Sequence, residues 1–125
     1  MAKGDDIEER LVNFAVRIVK FTNLLPKTHA GAHIAGQLLR SGTSPAAQYA
    51  EARGAESGND FVHKMKICLK ELNESHIWLK IIARSDLQSA SQVDAIMLEC
   101  EELCRIINAS IQTMKKRNQQ ASSQR

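Results

Sequence analysis

From Ile7 onward the apolar positions return in steps of four and three: Ile7, Leu11, Phe14, Ile18, Phe21 and Leu25. That spacing draws one apolar stripe along about five turns of α-helix, with Glu8, Glu9, Arg10, Arg17 and Lys20 off it. Asp5 and Asp6 precede the stripe, where the positive end of a helix dipole favours carboxylates, and Pro26 closes it. A second helix is expected from a cap at Thr28. Its opening, HAGAHIAGQLLR, is rich in Ala and Gly. Gly31 and Gly36 each cost about 1 kcal/mol against alanine in a helix, a loss that close approach of a neighbour would offset. Pro45 predicts a kink near Ser41–Ser44 rather than a break, because AAQYAEARGAE resumes good helix formers. Ser41 and Ser44 are placed to bond the backbone there.

After the turn ESGND, Ser57 or Asn59 caps a third helix from about Asp60 to Arg84. Its core stripe is Phe61, Met65, Cys68, Leu72, Leu79 and Ala83. A second apolar set, Ile67, Trp78, Ile81 and Ile82, lies elsewhere on the wheel. Together they exceed the arc that one core needs, which predicts an oligomer interface through those four residues. Beyond DLQSAS, with Ser89 or Ser91 as cap, a fourth helix carries Val93, Met97, Cys100, Leu103, Cys104, Ile107, Ile111 and Met114 on its core face. The pattern then fades into KKRNQQASSQR. Four amphipathic helices with short connections predict an all-α protein, an antiparallel up-down-up-down four-helix bundle. Three helices plus a dangling segment is the runner-up. The expected organisation is one domain over residues 1–116 and a disordered polar tail over 117–125.

With aromatics at 4% of 125 residues, the core must be aliphatic. A formal charge of +3 permits nucleic-acid affinity without requiring it. Three cysteines in no framework spacing read as free thiols of a reducing, cytoplasmic compartment. His29/His33 and Cys100/Cys104 have the i, i+4 spacing of paired metal ligands but lack an obvious third, so no metal or cofactor is expected. MAKGDDIEER has no apolar leader segment, and no run approaches the ~20 apolar residues of a membrane span. There is no nucleophile elbow, Walker loop or dinucleotide fingerprint, so the expectation is a binding or accessory protein rather than an enzyme.

The sharpest chemical feature is cationic. On the third helix Lys66, Lys70, Lys80 and Arg84 fall within about 80° of one another at 3.6 residues per turn. Such a stripe suits sequence-independent phosphate contacts; its bland reading is a solvated face paired with Glu71 or Glu74. Lys115 and Lys116, followed by Arg117, offer a second phosphate contact or simply a basic helix end. Trp78 reads as an interface anchor or a base-stacking group. Arg40, Ser44, Gln48 and Glu51 share a helix face beside Ser41. They form either a polar binding groove or a buried network in which Arg40, or another helix's cation, pairs with Glu51.

QLLRSGTSPAAQYAEARG resembles the signature of the four-helix-bundle proteins encoded within 23S rRNA intervening sequences. That group carries Arg-Ser-x-x-Ser, then Ala-Asn-x-x-Glu-Gly, then an Asp-Phe helix start and a later Glu. Arg40, Ser41, Ser44, Ala47, Glu51, Asp60, Phe61 and Glu74 fall in those places, while Gln48 and Ala52 replace Asn and Gly. The resemblance implies a ring-like homo-oligomer, a homopentamer. It extends to the accessory protein of bacterial diversity-generating retroelements. Through that likeness it implies binding of RNA or DNA and a protein partner such as a reverse transcriptase.

Overall fold

The computed structural model describes residues 4–123. Among them the fold is all-α, with four helices and no strand: α1 Asp5–Asn23, α2 His29–Arg53, α3 Gly58–Arg84 and α4 Ala90–Ser123. Local chemistry sets the ends. The Thr28 hydroxyl accepts from the Gly31 N–H at 3.1 Å, and the Ser57 hydroxyl from the Asp60 N–H at 3.0 Å. Each satisfies one of the donors that a helix start leaves free. The Ser89 carbonyl accepts the Val93 N–H at 3.2 Å and opens α4.

α2 continues through Pro45, whose ring is buried. In the preceding turn Ser44 Oγ donates to the Arg40 carbonyl and Thr43 Oγ1 to the Leu39 carbonyl, each at 2.7 Å. Gly36 meets open space, and Gly31 faces the Pro26 carbonyl, so neither provides the expected close approach to another helix. Gly42 does. A Cβ there would stand 2.8 Å from both Cγ1 and Cγ2 of Ile18, so α1 and α2 meet at a position where only hydrogen fits.

One aliphatic core joins all four helices, with Leu11, Phe14 and Ile18 from α1, Leu38 from α2, Leu72 and Leu79 from α3, and Val93 and Leu103 from α4 fully buried. α2 packs against α1 and α3, and α3 against α4; α1 meets α4 more lightly. The α1–α4 seam carries a bidentate ion pair, Arg10 Nε and Nη2 to Glu99 at 2.9 and 2.8 Å. Along α2 and α3 the partners run in opposite numerical order, Arg40 with Glu74 and the Pro45 carbonyl with Cys68 Sγ. The same holds for α3 and α4, where the Leu72 carbonyl meets Cys100 Sγ and Asn59 meets Asn118.

Two expectations need correction. Ile82, assigned to an outward apolar set, is 0% exposed and part of the core. α3 is covered by both α2 and α4, so its buried arc is wider than a single stripe. The polar segment after residue 116 is not a disordered tail over its described part: α4 stays helical to Ser123. Asn118 anchors it, donating to Asn59 Oδ1 at 3.2 Å and lying against Gly58, where a Cβ would be 2.2 Å from Asn118 Oδ1. Residues 124–125 lie outside the described residues.

Two serines tie α2 to α3 inside the core. Ser41 and Ser75 are both 0% exposed; Ser75 Oγ lies 2.9 Å from Ser41 Oγ and 3.0 Å from the Glu71 carbonyl. Ser41 Oγ also reaches the Leu38 carbonyl at 3.4 Å, so losing one hydroxyl removes the bond between the helices but leaves the other a carbonyl of its own helix. Ser75→Ala should therefore cost about 0.5–1.5 kcal/mol, and Ser41→Ala with Ser75→Ala less than the sum of the single changes. Urea unfolding of the three variants decides it; strict additivity would mean that the hydroxyls do not depend on each other.

Candidate nucleic-acid interface

The outer face of α3 is set by its inner one. Cys68, Ser75 and Leu79 point into the core, which turns Lys66, Lys70, Lys80 and Arg84 to the opposite side. Lys66, Lys70 and Arg84 are exposed and Lys80 is half-buried. Among the described residues none of the four is in an ion pair. Glu71 and Glu74, the carboxylates expected to neutralise them, both turn to Arg40 on α2. Arg40 Nη1 meets Glu71 Oε2 at 2.9 Å, and Nη2 pairs with Glu74 Oε2. The four cations thus stand without carboxylate partners on one side of a rod about 40 Å long at 1.5 Å per residue.

Ile77 and Ile81 share this face, 52% and 38% exposed. With Lys80, Arg84 and Ser85 they line an open depression of about 480 Å³. Ile77 was missed in the sequence reading, although it follows Lys70 and precedes Ile81 at helical spacing. Lys115 is half-buried and Lys116 exposed near the end of α4. Among the described residues no hydrogen bond or ion pair joins them to the α3 stripe.

Of the four residues expected to form an interface, Ile82 is in the core and Ile67 and Trp78 are half-buried, leaving Ile81 outward. The Trp78 indole N–H donates to Glu74 Oε2 at 3.1 Å, and its ring stands at 78° to that of His33 with centroids 6.1 Å apart. Trp78 packs beside the core instead of standing free as an anchor or stacking platform.

The cluster Arg40, Ser41, Ser44, Gln48 and Glu51 divides in space. Ser41 is buried, Ser44 and Gln48 are half-buried, and Arg40 and Glu51 are exposed. The buried network expected around an Arg40–Glu51 pair is therefore replaced by two others. Arg40 reaches across to α3, and Ser41 bonds Ser75. The carboxylate pair three residues apart on α3 was the legible signal for Arg40, since positions i and i+3 lie on one face.

Cys68 and Cys100 are buried and Cys104 is half-buried. Burial pushes the Cys68 thiol up to about 12. Cys100 is raised by its hydrogen bond with Cys104 and then by burial, while the same bond lowers Cys104. His29 and His33 are both exposed. Among the described residues no group of three or more His, Cys, Asp or Glu side chains could hold a metal ion, and no helix is long and apolar enough to cross a membrane.

A family model described as 23S rRNA-intervening sequence protein matches residues 6–109. The chain belongs to that family. The matched span of the 23S rRNA-intervening sequence protein family contains α2, α3 and the whole basic stripe, whereas Lys115 and Lys116 fall beyond it. The chain is also similar to a protein of Bacteroides thetaiotaomicron VPI-5482 whose crystal structure, at 1.70 Å resolution, is described as that of a protein with unknown function from the S23 ribosomal protein family. The two superpose with a TM-score of 0.80 at 33% identity, over 84% of this chain and 97% of that one. No curated protein matches the chain.

Proposed function

We propose that this protein is a non-enzymatic, cytoplasmic four-helix bundle that binds nucleic acid, RNA in preference to DNA, through phosphate contacts on α3. The observation that carries the reading is Lys66, Lys70, Lys80 and Arg84 on one face while Glu71 and Glu74 are held by Arg40. Unneutralised cations in a row displace the counterions of a phosphate backbone and gain affinity without reading sequence. Lys115 and Lys116 would add contacts near the end of α3 that carries Lys66 and Lys70, where Asn118 meets Asn59. The opposed numerical order of the α2–α3 and α3–α4 contacts supports the antiparallel, up-down-up-down arrangement. The family resemblance supports a ring-like homopentamer, which would repeat the basic face around the ring, and a protein partner such as a reverse transcriptase.

The test is a titration of the whole chain with a structured RNA and a matched DNA duplex across a salt series. Four phosphate contacts per protomer predict a log–log slope of about −3 to −4 on duplex DNA. Lys66→Glu with Lys70→Glu should abolish binding without loss of helical content. Absence of binding at low salt, or binding untouched by that double change, would overturn the assignment. A second reading rests on Ile77 and Ile81, large apolar side chains exposed on the same face. In that reading the face is a scaffold for another protein, and the complex survives nuclease and high salt.

A further inference from the structure

The basic stripe is not uniform along α3. Lys66 and Lys70 form one pair and Lys80 and Arg84 another, each spanning about 6 Å of helix axis. Between Lys70 and Lys80 lies a gap of about 15 Å. Asn73 and Ile77 occupy it on this face, and Asn73 Oδ1 already accepts the Cys104 thiol at 3.5 Å. The middle of the face therefore offers one isoleucine and one amide, fewer polar groups than base-by-base readout would use.

The chain has no exposed Phe, Tyr or Trp to stack a base on; His63, three residues before Lys66, is an exposed ring on this side of α3. The residues of those three types are Phe14, Phe21, Tyr49, Phe61 and Trp78. Phe14, Phe21 and Tyr49 are buried, and Phe61 packs on the core. Trp78 is half-buried between Glu74 and His33, away from the cations. Proteins that hold single strands combine a continuous basic groove with exposed aromatic platforms. This face lacks that continuity and has no exposed Phe, Tyr or Trp platform. Its two cation pairs are fixed on a rigid helix at a separation that suits two rails of phosphate on either side of a groove about 12 Å wide, as in a double helix.

We propose that α3 is a reader of double-helical nucleic acid: Lys66 and Lys70 hold the phosphates of one strand and Lys80 and Arg84 those of the other, with Ile77 over the groove between them. The proposal rests on the nucleic-acid reading above and narrows it to duplexes without sequence preference. A rigid spacing matches a rigid duplex, whereas a flexible single strand gains nothing from it.

The test uses the full chain at one low salt concentration with three probes of equal phosphate number: duplex RNA, duplex DNA and an unstructured single-stranded RNA. At least one duplex should bind about tenfold or more tighter than the single strand; the two duplex arms show which groove geometry fits. Lys66→Glu with Lys70→Glu, and separately Lys80→Glu with Arg84→Glu, should each lower duplex affinity by about tenfold or more and erase the preference over the single strand. All four positions lie on the outer face, and circular dichroism of each variant checks that helical content is kept. Single-stranded RNA binding as tightly as the better-bound duplex would overturn the duplex proposal and leave the broader reading standing. So would a duplex affinity within about twofold of the parent after either pair is reversed. No binding of any probe would overturn both.

Discussion

A protein carrying Gly42→Val is expected to lose about 3 kcal/mol or more of its unfolding free energy, a large share of the roughly 5–15 kcal/mol typical of a domain. Helix propensity argues weakly the other way, since glycine is the poorest interior residue apart from proline. Packing decides the sign. The first added carbon already stands 2.8 Å from two carbons of Ile18, a side chain with 0% exposure and no room to retreat. Two further methyl groups on that carbon deepen the overlap and force α1 and α2 apart. Ile18→Ala alone should cost about 2–5 kcal/mol through the cavity it leaves. Combined with Gly42→Val, the new side chain occupies part of that cavity, and the double variant should lose at least about 1 kcal/mol less than the sum. Urea denaturation of the parent, both single variants and the double variant measures the cycle; additive losses would mean that the two helices do not meet at this point.

The second large effect is alkaline. The Cys68 thiol is raised from an ordinary value of 9.0 to about 12 by burial. Burial likewise raises Tyr49, whereas the bond between Cys100 and Cys104 raises one thiol and lowers the other, so the two act in opposite directions. Between pH 9 and 12 the unfolded chain has therefore released protons that the folded one keeps. Stability is complete below about pH 9 and falls as the pH climbs toward 12, by about 1.4 kcal/mol per unit for Cys68 alone, or about 4 kcal/mol over the whole interval. Urea midpoints at neutral pH and near pH 11 give the slope. A Cys68→Ala, Cys100→Ala variant, less stable at neutral pH for want of packing, should decline less steeply. An equally steep decline in that variant would assign the loss to other groups.

The helix limits were legible because they are local. Thr28 and Ser57 advertise caps that the structure uses, and the stripe from Ile7 to Leu25 marks α1 by its period alone. What escaped the sequence depends on neighbours. Ile82 was read as outward because one stripe was assumed for α3, but a helix between two others buries two adjoining arcs. Gly31 and Gly36 attracted notice as small residues in a run, yet Gly42 is where α1 and α2 touch, and no periodicity says which glycine faces a partner. The basic stripe was readable from spacing. Its lack of carboxylate partners was not, because that depends on Arg40 reaching Glu71 and Glu74 across thirty-odd positions of chain. The end of α4 looked unanchored because its tie to the start of α3, through Asn118 and Asn59, is made of two amides with no apolar signal.

The light contact between α1 and α4 bears on how the molecule assembles in time. Every extensive helix pairing joins elements adjacent along the chain. Loop-closure entropy for such pairings is small, and proteins dominated by them fold on the microsecond-to-millisecond scale. Closure of the α1–α4 seam needs the longest loop and gains the least burial, so it comes last. The same seam is then the first to part in the native ensemble. Amides along it exchange with solvent through local opening, well before the inner helices α2 and α3 release theirs.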